Sequence, residues 1–201
     1  MKSTPFLAGV AAALLLSACD QPAPWARAAV APQPSQAVRN ERAQAVAWNE
    51  GMRRLDEAIA EGRSHALETT LGGASMTARL REASRTHDVL IWFCGLATPE
   101  LHLRRVRKRV AAGGHDIPEA KIRERWTASI AHLIALLPHL AEVRLFDNSA
   151  SAAPGEVVPD PLPVAVFREG KLIWPLSDDL EQLARTPDWA KPVLEAGLPA
   201  R

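Results

Sequence analysis

Residues 88–96 read Asp-Val-Leu-Ile-Trp-Phe-Cys-Gly-Leu, an apolar run opened by a single acid. A continuous apolar stretch of this length suits a strand buried on both faces of a parallel sheet. Thr98 and Pro99 follow as cap and first turn of a helix predicted to reach about Ala112. Upstream, Val38, Ala45, Trp48, Met52, Leu55 and Ile59 recur at helical spacing between Ser35 and a stop at Gly62. A short strand, His65–Glu68, leads through the turn at Gly72-Gly73 to a helix over Ser75–Arg85. Downstream, Gly113-Gly114-His115 breaks the chain. Asp116 and Glu119 then read as the capped start of a helix striped by Ile122, Trp126, Ile130, Leu133 and Leu137. Glu142–Phe146 is a third strand, and Val164–Phe167 and Leu172–Trp174 form a hairpin about Glu169-Gly170. Short helices close the chain, the last from near Pro187. Helices alternating with apolar strands predict an α/β fold with a parallel sheet flanked by helices.

The 201 residues suit one domain with a short appendage. A composition 47% hydrophobic and 23% charged excludes a disordered chain, and no apolar stretch is long enough to be an obvious membrane span. With a formal net charge of +1, nucleic acid is not an expected partner and any basic site must be local. Cys19 and Cys94 make neither a disulfide framework nor a cysteine zinc site. The histidines are scattered without metal-ligand spacing and read as structural or surface groups, so no metal site is expected in the chain. Cys94 reads as an inert core thiol, and no G-x-S-x-G elbow occurs.

Residues 1–34 carry two incompatible readings. Lys2, the apolar run Pro5–Leu16 and Leu16-Ser17-Ala18-Cys19 follow the pattern of a secretory signal with a lipobox-like end, which would lipidate Cys19 and leave Gln21–Pro34 as a tether. Alternatively, Lys2-Ser3-Thr4 before an apolar helix is how a phosphate-binding P-loop ends. The domain itself spans 35–201 in either case.

Two charged constellations stand out. Arg104, Arg105, Arg107, Lys108 and Arg109 crowd one helix, with Arg105 and Arg109 at i,i+4 spacing, and Arg123 and Arg125 follow on the next. Such density is either a solvated face with scattered carboxylate partners or a polyphosphate clamp, because guanidinium groups bind phosphate in bidentate fashion. Two arginine-bearing helices about the Gly113-Gly114 hinge make a lid able to close over a nucleotide. Glu68-Thr69-Thr70 and Asp147-Asn148-Ser149 stand at strand C-terminal ends, where ligands bind in open parallel sheets and where plain turns also occur.

Three stretches, LETTLGG (67–73), WFCGLATPELHLRRVRKRVAAGGHDIPEAKIRERW (92–126) and LFDNS (145–149), resemble the zeta-toxin-like P-loop kinases, in particular the branch of predicted UDP-N-acetylglucosamine kinases. AWNEGMRRLDEAIAEGRSHALETT (47–70) and TPDWAKP (186–192) extend the likeness over roughly residues 35–195. The resemblance implies a P-loop NTPase-like sheet with an arginine-bearing helical lid. It also implies transfer of the ATP γ-phosphoryl group, with Mg²⁺, to a sugar hydroxyl of a nucleotide sugar. By that likeness Arg109, Arg123 and Arg125 serve catalysis. Lys2, Ser3, Thr4 and Arg105 hold ATP, and Glu68, Thr69 and Thr70 line the substrate side. An antitoxin-like protein partner and a cytoplasmic location also follow. The chain departs from the family pattern at its start. A full G-x-x-x-x-G-K-[ST] and the strand before it are absent, and Gln21-Pro-Ala-Pro-Trp25 stands where the family has an acidic N-x-D-E-like segment. The expectation is a native start further upstream; the alternatives are a non-catalytic copy, or a membrane lipoprotein anchored at Cys19 with a kinase-derived, non-enzymatic body.

Overall fold

The computed structural model describes residues 6–12, 36–152 and 157–198. Six strands form one sheet in the order β2-β1-β3-β4-β5-β6: β1 (Phe6–Ala12), β2 (Leu67–Glu68), β3 (Asp88–Gly95), β4 (Glu142–Asp147), β5 (Leu162–Arg168) and β6 (Lys171–Trp174). The first four pair in parallel, and β5 and β6 are antiparallel additions at one edge, so the sheet is mixed where the strand–helix alternation predicts a parallel one. The hairpin forms because Glu169 (φ 49°) and Gly170 (φ 76°) both take left-handed geometry, as a two-residue hairpin turn of the primed type demands.

Helices α1 (Gln36–Ala60), α2 (Ala74–Ala83), α3 (Pro99–Ala111), α4 (Glu119–Leu136), α5 (Leu180–Ala184) and α6 (Lys191–Ala196) complete the fold. Helix α1 ends as its glycine predicts. Gly62 is left-handed (φ 64°), with Arg63 N–H donating to Ala58 O at 2.9 Å and Gly62 N–H to Ile59 O at 3.3 Å. Thr98 caps α3, accepting from Leu101 N–H at 3.1 Å. Asp116 does not cap α4: its carboxylate accepts from Ile117 N–H, and Pro118 occupies the cap position.

The N-terminal apolar run is the main departure from the sequence reading. Its described part, Phe6–Ala12, is a strand and not a helix: it lies between β2 and β3, with Phe6 beside Asp88, Val10 beside both Leu67 and Ile91, and Ala12 beside Phe93. Without it, β2 and β3 would each present a row of unpaired backbone groups toward the gap, and a short apolar segment is what fills such a gap. Lys2, Ser3, Thr4 and Cys19 lie outside the described residues.

Strand β3 is not buried on both faces. Val89, Ile91 and Phe93 are in the core, whereas Leu90 and Cys94 are half-buried and Trp92 is 50% exposed. The buried row packs with residues of α1, α2, α4 and α6 (Leu55, Leu80, Leu133, Val193) in one cluster. A second, smaller cluster of Leu103, Val106 and Ile122, with Val110 and Ile117 against it, ties α3 to the start of α4. Every residue of a central strand donates to one neighbour or the other, so Val10→Pro removes a ladder bond and leaves its acceptor unsatisfied, at about 1–3 kcal/mol. Thermal unfolding followed by circular dichroism should show a lower midpoint for Val10→Pro; an unchanged midpoint would mean that β1 is not in the sheet.

Candidate anion and substrate site

At the C-terminal ends of β2, β3 and β4 lies a cavity of about 60 Å³ whose walls include Thr70, Leu96, His102, Arg125, Trp126 and Trp189. Its floor is set by tryptophans. Trp126 Nε1 donates to Leu96 O at 3.1 Å, fixing α4 to the end of β3. Trp189, 3% exposed, donates from Nε1 to Asp147 Oδ1 at 3.2 Å and packs on Phe93 with ring centroids 5.8 Å apart. Gly95 is needed beneath it, since a Cβ there would stand 2.4 Å from the Trp189 ring.

Asp147-Asn148-Ser149 is an ordered strand end. Ser149 Oγ donates to Asp147 Oδ1 at 2.5 Å and accepts from Ala97 N–H at 2.8 Å, while Asn148 N–H donates to Gly95 O at 2.9 Å. Of Glu68, Thr69 and Thr70, only Thr70 lines the cavity. Glu68 is exposed, and Thr69 Oγ1 accepts from Leu71 N–H at 3.1 Å. Leu71 is fully buried yet left-handed (φ 52°), a conformation costly for a bulky residue. Its side chain in the core and the hydrogen bond between its carbonyl and His132 Nδ1, 2.8 Å, hold this turn and so place Thr70.

The arginines divide into two groups. Arg123 pairs with Glu100 at 2.6 Å and Glu119 at 2.7 Å, and Arg107 lies 3.8 Å from Glu119. The Glu100 carboxyl is accordingly held below its usual range by the hydrogen bond from Arg123. Arg123 therefore ties α3 to α4 at the surface instead of facing the cavity. Arg105, Arg109 and Arg125 have no carboxylate ion-pair partner among the described residues. Arg105 donates to Ala150 O at 2.7 Å, and burial opposes its charge while Asp147 favours it. Arg109 donates to His115 O at 2.9 Å, and its Nε is buried without a partner. Arg125 lies over Gly72, where a Cβ would come within 2.8 Å of its Cγ.

The glycine pair is a seat for Arg109. Gly113 is left-handed (φ 93°), and a Cβ on Gly114 would fall 2.6 Å from Arg109 Cγ. His102, read from sequence as structural or surface, instead lines the cavity. Burial, followed by the charges of Arg109, Arg105 and Arg125, pushes its imidazole below the ordinary histidine range. The clue to it in the sequence is its spacing, one turn before Arg105 and two before Arg109, which puts the three on one helix face. Trp126 and Trp189 carry no such clue, because their role depends on the close approach of distant segments. Cys94 also lines the cavity, half-buried, and burial raises its thiol pKa.

Comparison with family models, curated proteins and solved structures finds no match for this chain. Among the described residues no helix is long and apolar enough to cross a membrane. Gly95→Ala overpacks a ring pinned on two sides, a class of change that costs about 1–3 kcal/mol. Urea unfolding should show that loss, whereas Gly51→Ala, with open space around its Cβ, should not destabilise.

Proposed function

We propose that the chain binds a polyphosphate at the end of its sheet and acts as an ATP-dependent small-molecule kinase of the zeta-toxin type, transferring the γ-phosphoryl group to a sugar hydroxyl of a nucleotide sugar. The observation that supports this reading best is the sorting of the arginines. Arg107 and Arg123 have carboxylate ion pairs; Arg104, Arg105, Lys108, Arg109 and Arg125 have none among the described residues, and of these it is Arg105, Arg109 and Arg125 that act electrostatically on one cavity histidine. A solvated face would pair its charges indiscriminately; a clamp keeps its cations for the ligand.

These guanidinium groups fit ATP phosphates. Lys2-Ser3-Thr4 precede β1 in the chain, where a P-loop would follow its strand, and lie outside the described residues. No step is therefore assigned to them. In the transfer, the acceptor oxygen forms a bond to the γ-phosphorus, the bond from the γ-phosphorus to the bridging β,γ-oxygen breaks, and the hydroxyl proton is released. The chain's contribution is to hold phosphate charge with Arg105, Arg109 and Arg125 and to present the acceptor at Thr70. Mg²⁺ would accompany ATP as the phosphate counter-ion. Excision before Cys19 would withdraw β1 from between its neighbours, which supports a segment that stays with the domain and a cytoplasmic enzyme over a lipoprotein.

Turnover of ATP with UDP-N-acetylglucosamine, followed by phosphorus NMR, tests the reading. Arg109→Ala and Arg125→Ala should each lower the rate tenfold or more with little change in melting temperature, and lysine should restore it only in part. Arg104→Ala should leave the rate unchanged, and Arg123→Ala should change it far less than Arg125→Ala. Absence of transfer by the unsubstituted protein, or equal losses at Arg104 and Arg109, would refute the assignment.

A further inference from the structure

We propose that His102 is a ligand of the anion that this site takes, gaining one proton from solvent as the anion binds and donating it in a hydrogen bond to a phosphate oxygen. The inference rests on the polyphosphate reading of the site but not on any phosphoryl transfer.

Its basis is placement. His102 stands on the same face of α3 as Arg105 and Arg109 and shares the cavity wall with Arg125 of α4, so the charges of cations on two helices act on one imidazole. The imidazole forms part of the cavity wall and makes no hydrogen bond among the described residues. From the strand ends, the titratable groups nearby are the Cys94 thiol, which burial keeps neutral, and Asp147, which Ser149 and Trp189 engage. No carboxylate therefore offers His102 a counter-charge, and a bound anion is the group that would.

The sign follows from linkage. Without a bound anion, burial and then three guanidinium charges disfavour the imidazolium and hold His102 toward its neutral form. An anion lying against the same guanidinium groups cancels their field and supplies an acceptor, which raises the pKa. Binding therefore takes up a proton, and affinity increases as pH falls. The empty protein shows the opposite trend. Because the folded-state pKa lies below the unfolded one, the unfolded chain binds more protons, and stability falls as pH drops below about 6.5.

The test uses the full chain and inorganic triphosphate. The side-chain nitrogen resonances of His102 are titrated with pH in the absence and presence of triphosphate, and triphosphate affinity is measured at pH 8 and pH 6 for the unsubstituted protein and for His102→Gln. The expected result is a titration midpoint raised by about one unit or more when triphosphate is bound. The affinity gain between pH 8 and pH 6 should then be several-fold larger in the unsubstituted protein than in His102→Gln, since both see the same titration of the ligand itself. Triphosphate binding with an unmoved His102 midpoint and identical gains would overturn the proposal while leaving the anion site intact. Failure of triphosphate to bind at all would overturn the site, and the proposal with it.

Discussion

Helix α4 belongs to two cores, and the charge at the end of the sheet is held in place by that double membership. Its C-terminal half puts Leu133 and Leu136 into the main core, while Ile122 near its start packs against Leu103 and Val106 of α3. Between the two, the indole of Trp126 is hydrogen-bonded to the carbonyl of Leu96 as β3 ends. Arg105, Arg109 and Arg125 are like charges without a carboxylate ion pair among the described residues, Asp147 favouring the charge of Arg105 from the end of β4. Apolar burial on either side of Trp126 makes their proximity tolerable, because it fixes the backbone from which they project.

The cavity inherits its shape from the same constraint. With α4 fixed at Leu96 and Trp189 seated on Gly95, the walls are mostly aromatic and aliphatic, and the polar groups, Thr70, His102, Arg125 and Ser129, are few. That combination orients a small ligand more than it solvates one. The strained Leu71 turn adjoins the cavity through Thr70, and its backbone is retained because the surrounding packing over-determines it.

Most of the elements were legible in the sequence, because they depend on local chemistry. Thr98 caps α3, Gly62 stops α1, Glu169-Gly170 turns the hairpin, and each works through its own backbone neighbours. The place of Phe6–Ala12 was not legible, because an apolar run of that length serves equally as a signal core, a helix or a strand, and only the gap between β2 and β3 chooses among them. The two-sided burial expected of β3 failed for a related reason: periodicity reports apolarity, not which face a helix covers. At the site, arginine spacing singled out α3 and α4 but was not used to separate Arg123 from Arg125. Of the two carboxylates that pair with Arg123, Glu119 stands at i,i+4 spacing on the same helix, whereas Glu100 lies far away in sequence and meets it only across the α3–α4 contact.

The central claim is electrostatic: three guanidinium groups are held without carboxylate partners for a polyanion. Thermal unfolding of the unsubstituted protein in graded inorganic triphosphate, at constant ionic strength, addresses it most directly. A specific site requires a saturating rise in melting temperature, about 5–10 °C at a hundredfold excess over Kd. A curve indistinguishable from that in sodium chloride of equal ionic strength would contradict the account, because the arginines would then be an ordinary solvated surface.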